Sequence, residues 1–196
     1  MLRPKLITAP SEKPVSLAEA KAHLRVDFPD EDILIEGLID AATDRFDGWN
    51  GFLRRCLVSQ IWEVRLDAFP HCGRIELPFP DIDEASVAVA YVDLSGSEQV
   101  LGAACYHVVN EVTGAAVLKS AWANWPETDK RPDAVRVQFT AGFGGAEKVP
   151  ASIKAAILLT VGHLYEHRED AVQGAEVRQI PNGAESLARQ YRRIAV

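Results

Sequence analysis

The stretch from Val149 to Asp170 constrains the fold of this chain more than any other. Pro150 stands where the first turn of a helix tolerates a missing N–H, and Ile153, Ile157, Val161 and Leu164 follow at helical spacing. Leu158, Leu159 and Tyr165 widen that stripe until the middle of the helix is apolar nearly all round. Such a helix wants protein on most sides and reads as a core element. Gly162 in its interior costs on the order of 1 kcal/mol relative to alanine, which points to another backbone passing close by.

The same helix carries His163-Leu-Tyr-Glu166-His167, an H-x-x-E-H pattern. Two histidines four residues apart share a helix face and can grip one zinc ion, with Glu166 as general base of a small zinc-dependent hydrolase. A third ligand has to come from elsewhere, and the downstream acids are Glu169, Asp170, Glu176 and Glu185. A match at three positions is weak on its own. The plainer reading makes both histidines helix-surface residues, with His167 near the negative C-terminal end. No catalytic residue, metal ligand or cofactor is assigned.

Upstream, residues 1–15 are punctuated by proline and read as extended. Ser16-Leu-Ala-Glu19 is a capping box opening a short helix through about Arg25. A longer helix starts at Pro29-Asp30-Glu31-Asp32, with the apolar stripe Ile35, Leu38, Ile39, Ala42, Phe46 and Trp49; Asn50-Gly51 is expected to close it. On another face Asp32, Glu36, Asp40 and Asp44 recur every four residues. Between Asp27 and Asp47 stand eight acids and one base, Arg45. Stripes of this kind are ordinarily solvated faces; the functional alternative is a like-charged wall that repels a polyanion or selects a basic partner.

The period then changes from helical to alternating. Trp62, Val64 and Leu66 alternate with Glu63, Arg65 and Asp67, a half-buried strand. Short strands are expected at 74–77, 87–93, 106–109 and 116–119, and a clean alternation returns at Val135–Thr140. Asp93–Glu98 and Val112-Thr-Gly114 are turn signals between them. Gly142, Gly144 and Gly145 then lead into the central helix, but Glu147 stands where a dinucleotide fingerprint needs its third glycine. The loop is read as a hinge. Trp122 and Trp125 lie in another loop, where they cover a core edge or an interface; a third reading makes the chain a β-rich binding module whose Trp122/Trp125 loop holds a ligand. The final segment, 184–193, is expected to form a short helix with Leu187 and Tyr191 on one side. From Glu176 onward it carries Arg178, Arg189, Arg192 and Arg193 against Glu176 and Glu185. A helix that short cannot fold alone; it docks on something, either another protein or its own domain.

With 21 basic and 28 acidic residues the net charge is −7, which argues against a surface that grips nucleic acid. Three cysteines without C-x-x-C spacing read as free thiols of a reducing compartment. No apolar run suits a signal peptide or a membrane span, so a cytoplasmic origin is expected.

Taken in order, these pieces resemble one family, the head-to-tail connector (adaptor, head-completion) proteins of tailed phages, prophages and gene transfer agents. The resemblance rests on Leu17–Val26 with the Asp-rich helix start after it, on Gln60-Ile-Trp-Glu-Val-Arg-Leu-Asp67, on Val135–Gly142, and on Val149–Glu169. It implies an α+β chain with a helical bundle core, made of the N-terminal helices and the central helix 150–169. The antiparallel β region read from the alternating strands departs from simple all-helical members of that family and is expected as an insertion in that core, with a C-terminal docking helix after it. The corresponding boundaries are 1–57, 58–145 and 146–196, with the first and last packing as one domain. It further implies a structural protein without catalysis, placed at the head–tail junction of a particle. The partners would be further copies in a ring, typically a dodecamer, the portal protein, and the next head-completion or tail protein. DNA would pass through without sequence-specific contact. On that reading Leu187, Arg189, Tyr191, Arg192 and Arg193 are the candidate portal-docking tail, and Asp32, Glu36, Asp40 and Asp44 the candidate channel-facing stripe.

Overall fold

The computed structural model describes residues 4–111, 113–167 and 182–193. The chain forms two compact units, each assembled from segments distant in sequence. The first comprises 1–11, 59–143 and 193–196; the second comprises 12–58 and 144–192.

The first unit is built of strands. β1 (Lys5–Thr8), β2 (Gln60–Leu66), β4 (Ile82–Val92), β5 (Glu98–Val100) and β8 (Val135–Ala141) form a five-stranded antiparallel sheet in the order β1-β2-β8-β4-β5. The sequence alternation predicts the two strands at its centre. β2 and β8 pair through Trp62–Phe139 and Val64–Val137, and these four side chains are buried while Arg65 points to solvent. Phe79 packs on Trp62 with ring centroids 4.9 Å apart. β4 bulges between Asp83 and Ala88, where Ser86 Oγ accepts from the Thr140 N–H at 2.8 Å and donates to the Asp83 carbonyl at 2.6 Å. The Thr140 N–H, which faces the three extra residues of the bulge, is thereby bonded instead of orphaned.

A second antiparallel sheet, β3 (Arg74–Glu76), β7 (Gly114–Lys119) and β6 (Tyr106–Glu111), has the order β3-β7-β6. Side chains of β6 join it to the first. Tyr106 donates to the Val87 carbonyl at 2.8 Å, and Asn110 exchanges two bonds with the backbone of Ile82. Burial raises the Tyr106 pKa.

The second unit is helical. α1 (Leu17–Leu24) begins in the expected capping box: Ser16 accepts from the Glu19 N–H, and the Glu19 carboxylate accepts from the Ser16 N–H at 2.8 Å. That backbone bond and the Ser16 hydroxyl hold the Glu19 pKa down. α2 (Asp32–Phe46) buries Ile35, Ile39, Ala42 and Phe46. It ends earlier than the Asn50-Gly51 signal suggests. Gly48, at φ 74°, turns the chain, and the Phe52 and Leu53 N–H groups then bond the Arg45 and Phe46 carbonyls. The reversed chain itself satisfies the orphan carbonyls of the helix end.

α3 (Ala151–Glu166) is the expected central helix, with Ile153, Ala156, Ile157, Thr160 and Val161 buried. Its apolar girdle is not fully enclosed, since Leu159 is partly exposed. Gly162 faces the imidazole of His23 on α1, whose Nε2 would lie 3.4 Å from an added Cβ. A side chain, not a backbone, occupies the space beside it. α4 (Asn182–Ala188) and a 3-10 turn at Arg189–Tyr191 follow, with Ala184 and Ala188 buried.

The fold is α+β, but a helical bundle core carrying a β insertion is not what forms. Two antiparallel sheets with an apolar core of their own, including Val64, Val89, Val137 and Phe139, make up the first unit. The N-terminal strand β1 belongs to that unit and pairs with β2. The sheets are therefore a principal layer of the fold and not a decoration on helices.

Candidate functional site

The H-x-x-E-H pattern lies at the end of α3. His163 and His167 meet edge-on with ring centroids 4.8 Å apart, and the His167 N–H bonds the His163 carbonyl at 3.0 Å. Glu166 and His167 are exposed and His163 is half-buried. Among the described residues no group of three His, Cys, Asp or Glu side chains converges as a metal site. Of the proposed third ligands, Glu185 pairs with Arg45 at 2.7 Å. Glu169, Asp170 and Glu176 lie outside the described residues, as does Arg178.

The acidic stripe is brought together on one flank of α2 but is not uniformly free. Lys21 pairs with Asp32, and Lys13 with Asp40 at 2.7 Å. Glu36 and Asp44 are exposed. Beside them the helix shows an apolar surface that sequence reasoning passed over. Ile33 is 89% exposed, and Phe28 and Leu34 are also exposed. An added Cβ at Gly37 would meet nothing within 4 Å. At 100° per residue Ile33 and Gly37 lie opposite Ile35, Ile39 and Ala42, so this is the outward face of α2. The signal was available as a hydrophobic residue out of phase with the core stripe.

The tail residues part company. Tyr191 and Arg192 sit on the loop that follows α2: Arg55 Nε donates to the Tyr191 carbonyl at 2.6 Å, and the Arg192 guanidinium lies 4.7 Å above the centre of the Phe52 ring. Arg193 donates to the carbonyls of Thr113 and Pro78 in the first unit. It does so across Gly114, where an added Cβ would stand 2.8 Å from the guanidinium. Leu187 and Arg189 face solvent, Leu187 at 42% exposure. Leu187 and Tyr191 thus do not form one buried side; the small residues Ala184 and Ala188 make that contact instead.

Trp125 stacks on Phe69 at 4.8 Å with an interplanar angle of 13°, and Phe69 meets Tyr91 edge-on at 5.8 Å. Trp125 therefore covers a core edge, as the plainer sequence reading has it. Trp122 is 72% exposed. No helix among the described residues is long and apolar enough to cross a membrane.

No protein-family model matches the sequence, and no curated protein is significantly similar to it. Solved structures do share its fold along the whole chain. A chain in the neck of an empty gene transfer agent particle, computed with C6 symmetry, superposes with a TM-score of 0.79 at 24% identity, covering 99% of this chain and 97% of that one. A chain of the native gene transfer agent virion gives 0.77 at 24% identity, covering 98% and 96%. A chain in the neck of a native particle, computed with C12 symmetry, gives 0.76 at 23% identity, covering 99% and 97%. At this identity the likeness establishes the fold.

Proposed function

We propose that this chain is a structural component of the neck of a gene transfer agent or tailed-phage particle: an adaptor that forms a ring below the portal, extends the DNA channel and offers a platform to the next head-completion or tail protein. The observation that carries this reading is the end-to-end likeness to neck chains, which covers 99% of this chain and 97% of each of those chains and so takes in both units of the fold. The six-fold and twelve-fold symmetries of those neck structures support a ring of many copies, and a dodecamer is the simplest number compatible with both. The sequence order of capping box, acidic helix, alternating strands and central helix supports it independently. The protein works by shape and contact, with DNA as a passing neighbour and the portal and tail proteins as partners.

The test is to image particles from cells that make the chain with a small C-terminal tag. A ring of tag density at the head–tail junction is expected, together with heads that fail to join tails when the chain is missing. Complete, infectious or DNA-transferring particles without this chain would overturn the reading.

A further inference from the structure

The helical unit separates its exposed charge. At the start of α2, Asp30 and Glu36 are exposed beside the exposed apolar side chains Phe28, Ile33 and Leu34. Asp32 in the first turn and Asp30 just before it are accounted for by the helix dipole. An isoleucine almost entirely in water is not, and a patch of three large apolar residues calls for a cover. At the other end of α2 the exposed Arg54, Arg189 and Arg192 outnumber one exposed acid, Asp44, and Leu187 is exposed on the short helix that leads to Arg189. These are gathered at one place because Glu185 is paired with Arg45, Phe52 bonds the Arg45 carbonyl, and Arg192 lies over Phe52.

The two surfaces match in character, since one is apolar with acids and the other apolar with arginines. They cannot meet within one chain. Ile33 and Arg45 stand about 18 Å apart along α2, at about 1.5 Å per residue, and the basic surface is pinned at the Arg45 end. Complementary surfaces at opposite ends of one compact unit join copies head to tail, and such contacts form a ring when the rotation between neighbours closes. DNA suits neither the acids nor the isoleucine of the first surface, and two of the four stripe acids are already matched to lysines.

We propose that the apolar, acidic surface at the start of α2 docks on the basic surface around Leu187 and Arg189 of a second copy, and that this contact joins neighbours in the ring. The inference rests on the ring reading above and replaces, for these residues, a channel wall and a portal dock by a contact between copies. The apolar residues contribute affinity, and the charges fix which end meets which.

The experiment uses the full chain carrying Cys72→Ser and Cys105→Ser, incorporated into particles and oxidised before non-reducing electrophoresis. With Ile33→Cys and Leu187→Cys in the same chain, a ladder of disulfide-linked multimers is expected; either cysteine alone gives none. Both positions are exposed, so folding tolerates the changes. In a second arm Glu36→Arg and Arg189→Glu each lower incorporation about tenfold, as loss of a close charge pair does, and the two together restore it. Rings at the neck without the ladder, a cross-link from position 33 to a different protein, or no rescue by the charge swap would overturn this contact while leaving the ring intact. Absence of the wild-type chain from the neck would instead remove the ring reading, and this inference with it.

Discussion

The two units differ in where they leave their exposed arginines. In the sheet unit, cations stand beside acids on the same or neighbouring strands and loops: Arg65 with Glu63 and Asp133, Arg74 with Glu76 and Glu111, Arg136 with Glu98. Its exposed arginines are matched locally, although Asp67, Asp83, Glu84 and Glu127 are exposed acids outside these pairs. The helical unit has pairs too, but around α2 the exposed Asp27, Asp30 and Glu36 lie towards its start and the exposed Arg54, Arg189 and Arg192 beyond its end, with Arg25 and Asp44 as the exceptions. Local pairing suits a surface that faces water, whereas segregation creates a surface with a sign and a direction. The difference teaches that charge count alone does not mark an interface; what marks it is charge left unmatched next to exposed apolar residues.

That comparison can be broken at the level of the cores. Phe139→Ala in β8 and Ile157→Ala in α3 remove fully buried side chains. Losses of about 3–5 kcal/mol and about 2–5 kcal/mol are expected in denaturant titrations. If either cost below about 1 kcal/mol, that unit would not be the packed body on which the surface argument depends. Gly51→Ala is expected to be the next largest change. Its Cβ would stand 2.2 Å from the Asp47 carbonyl oxygen, and a destabilisation of about 1–3 kcal/mol should accompany a displaced 52–55 loop. Because that loop carries Arg54 and the Phe52 seat of Arg192, assembly should fall further than stability does. Equal falls in both would weaken the assignment of the basic surface.

Ser16→Ala removes the side-chain cap of α1 and should cost about 1 kcal/mol, read from thermal unfolding, with incorporation into particles unchanged. The sharpest contrast is between two surface charges. Arg136→Gln in the sheet unit and Glu36→Gln on α2 should each move stability by less than about 1 kcal/mol. Only Glu36→Gln should reduce incorporation.

The smallest effect is local. Asp93 in the β4–β5 turn accepts bonds from the Ser95 hydroxyl, the Gln99 amide and the Ser97 N–H, which hold its carboxyl at about 2 against an ordinary 3.8. A depressed carboxyl contributes above its unfolded pKa and stops contributing as pH falls through its folded one. Amide exchange at Ser95 and Ser97 should therefore quicken as pH drops from 3.8 towards about 2, after correction for intrinsic rates. Asp93→Asn should abolish the pH dependence of that correction-adjusted protection.

What the amino-acid order determined by itself was local. The capping box at Ser16 and Glu19, the alternation of β2 and β8 and the 3.6-residue stripe of α3 each depend on neighbours a few positions away, and each is found as read. The edge strands of the larger sheet were not legible. All four residues of β1 are exposed, and β5 is exposed throughout, so neither has a buried period of its own. They are strands because β2 and β4 offer them hydrogen-bonding edges. That is also why the chain is not a helical bundle with an insertion, since membership of a sheet is decided by pairing across long stretches of sequence. The candidate surfaces divide in the same way. The acids of α2 could be counted in order, but which of them meet Lys13 and Lys21, and that Ile33 faces outward beside them, depends on how α2 rolls against α1 and α3. The arginines of the tail could be named too; only packing of Ala184 and Ala188 turned Leu187 outward and drew Arg192 onto Phe52. Periodicity is written in neighbours, whereas a surface is made by whatever the core leaves uncovered.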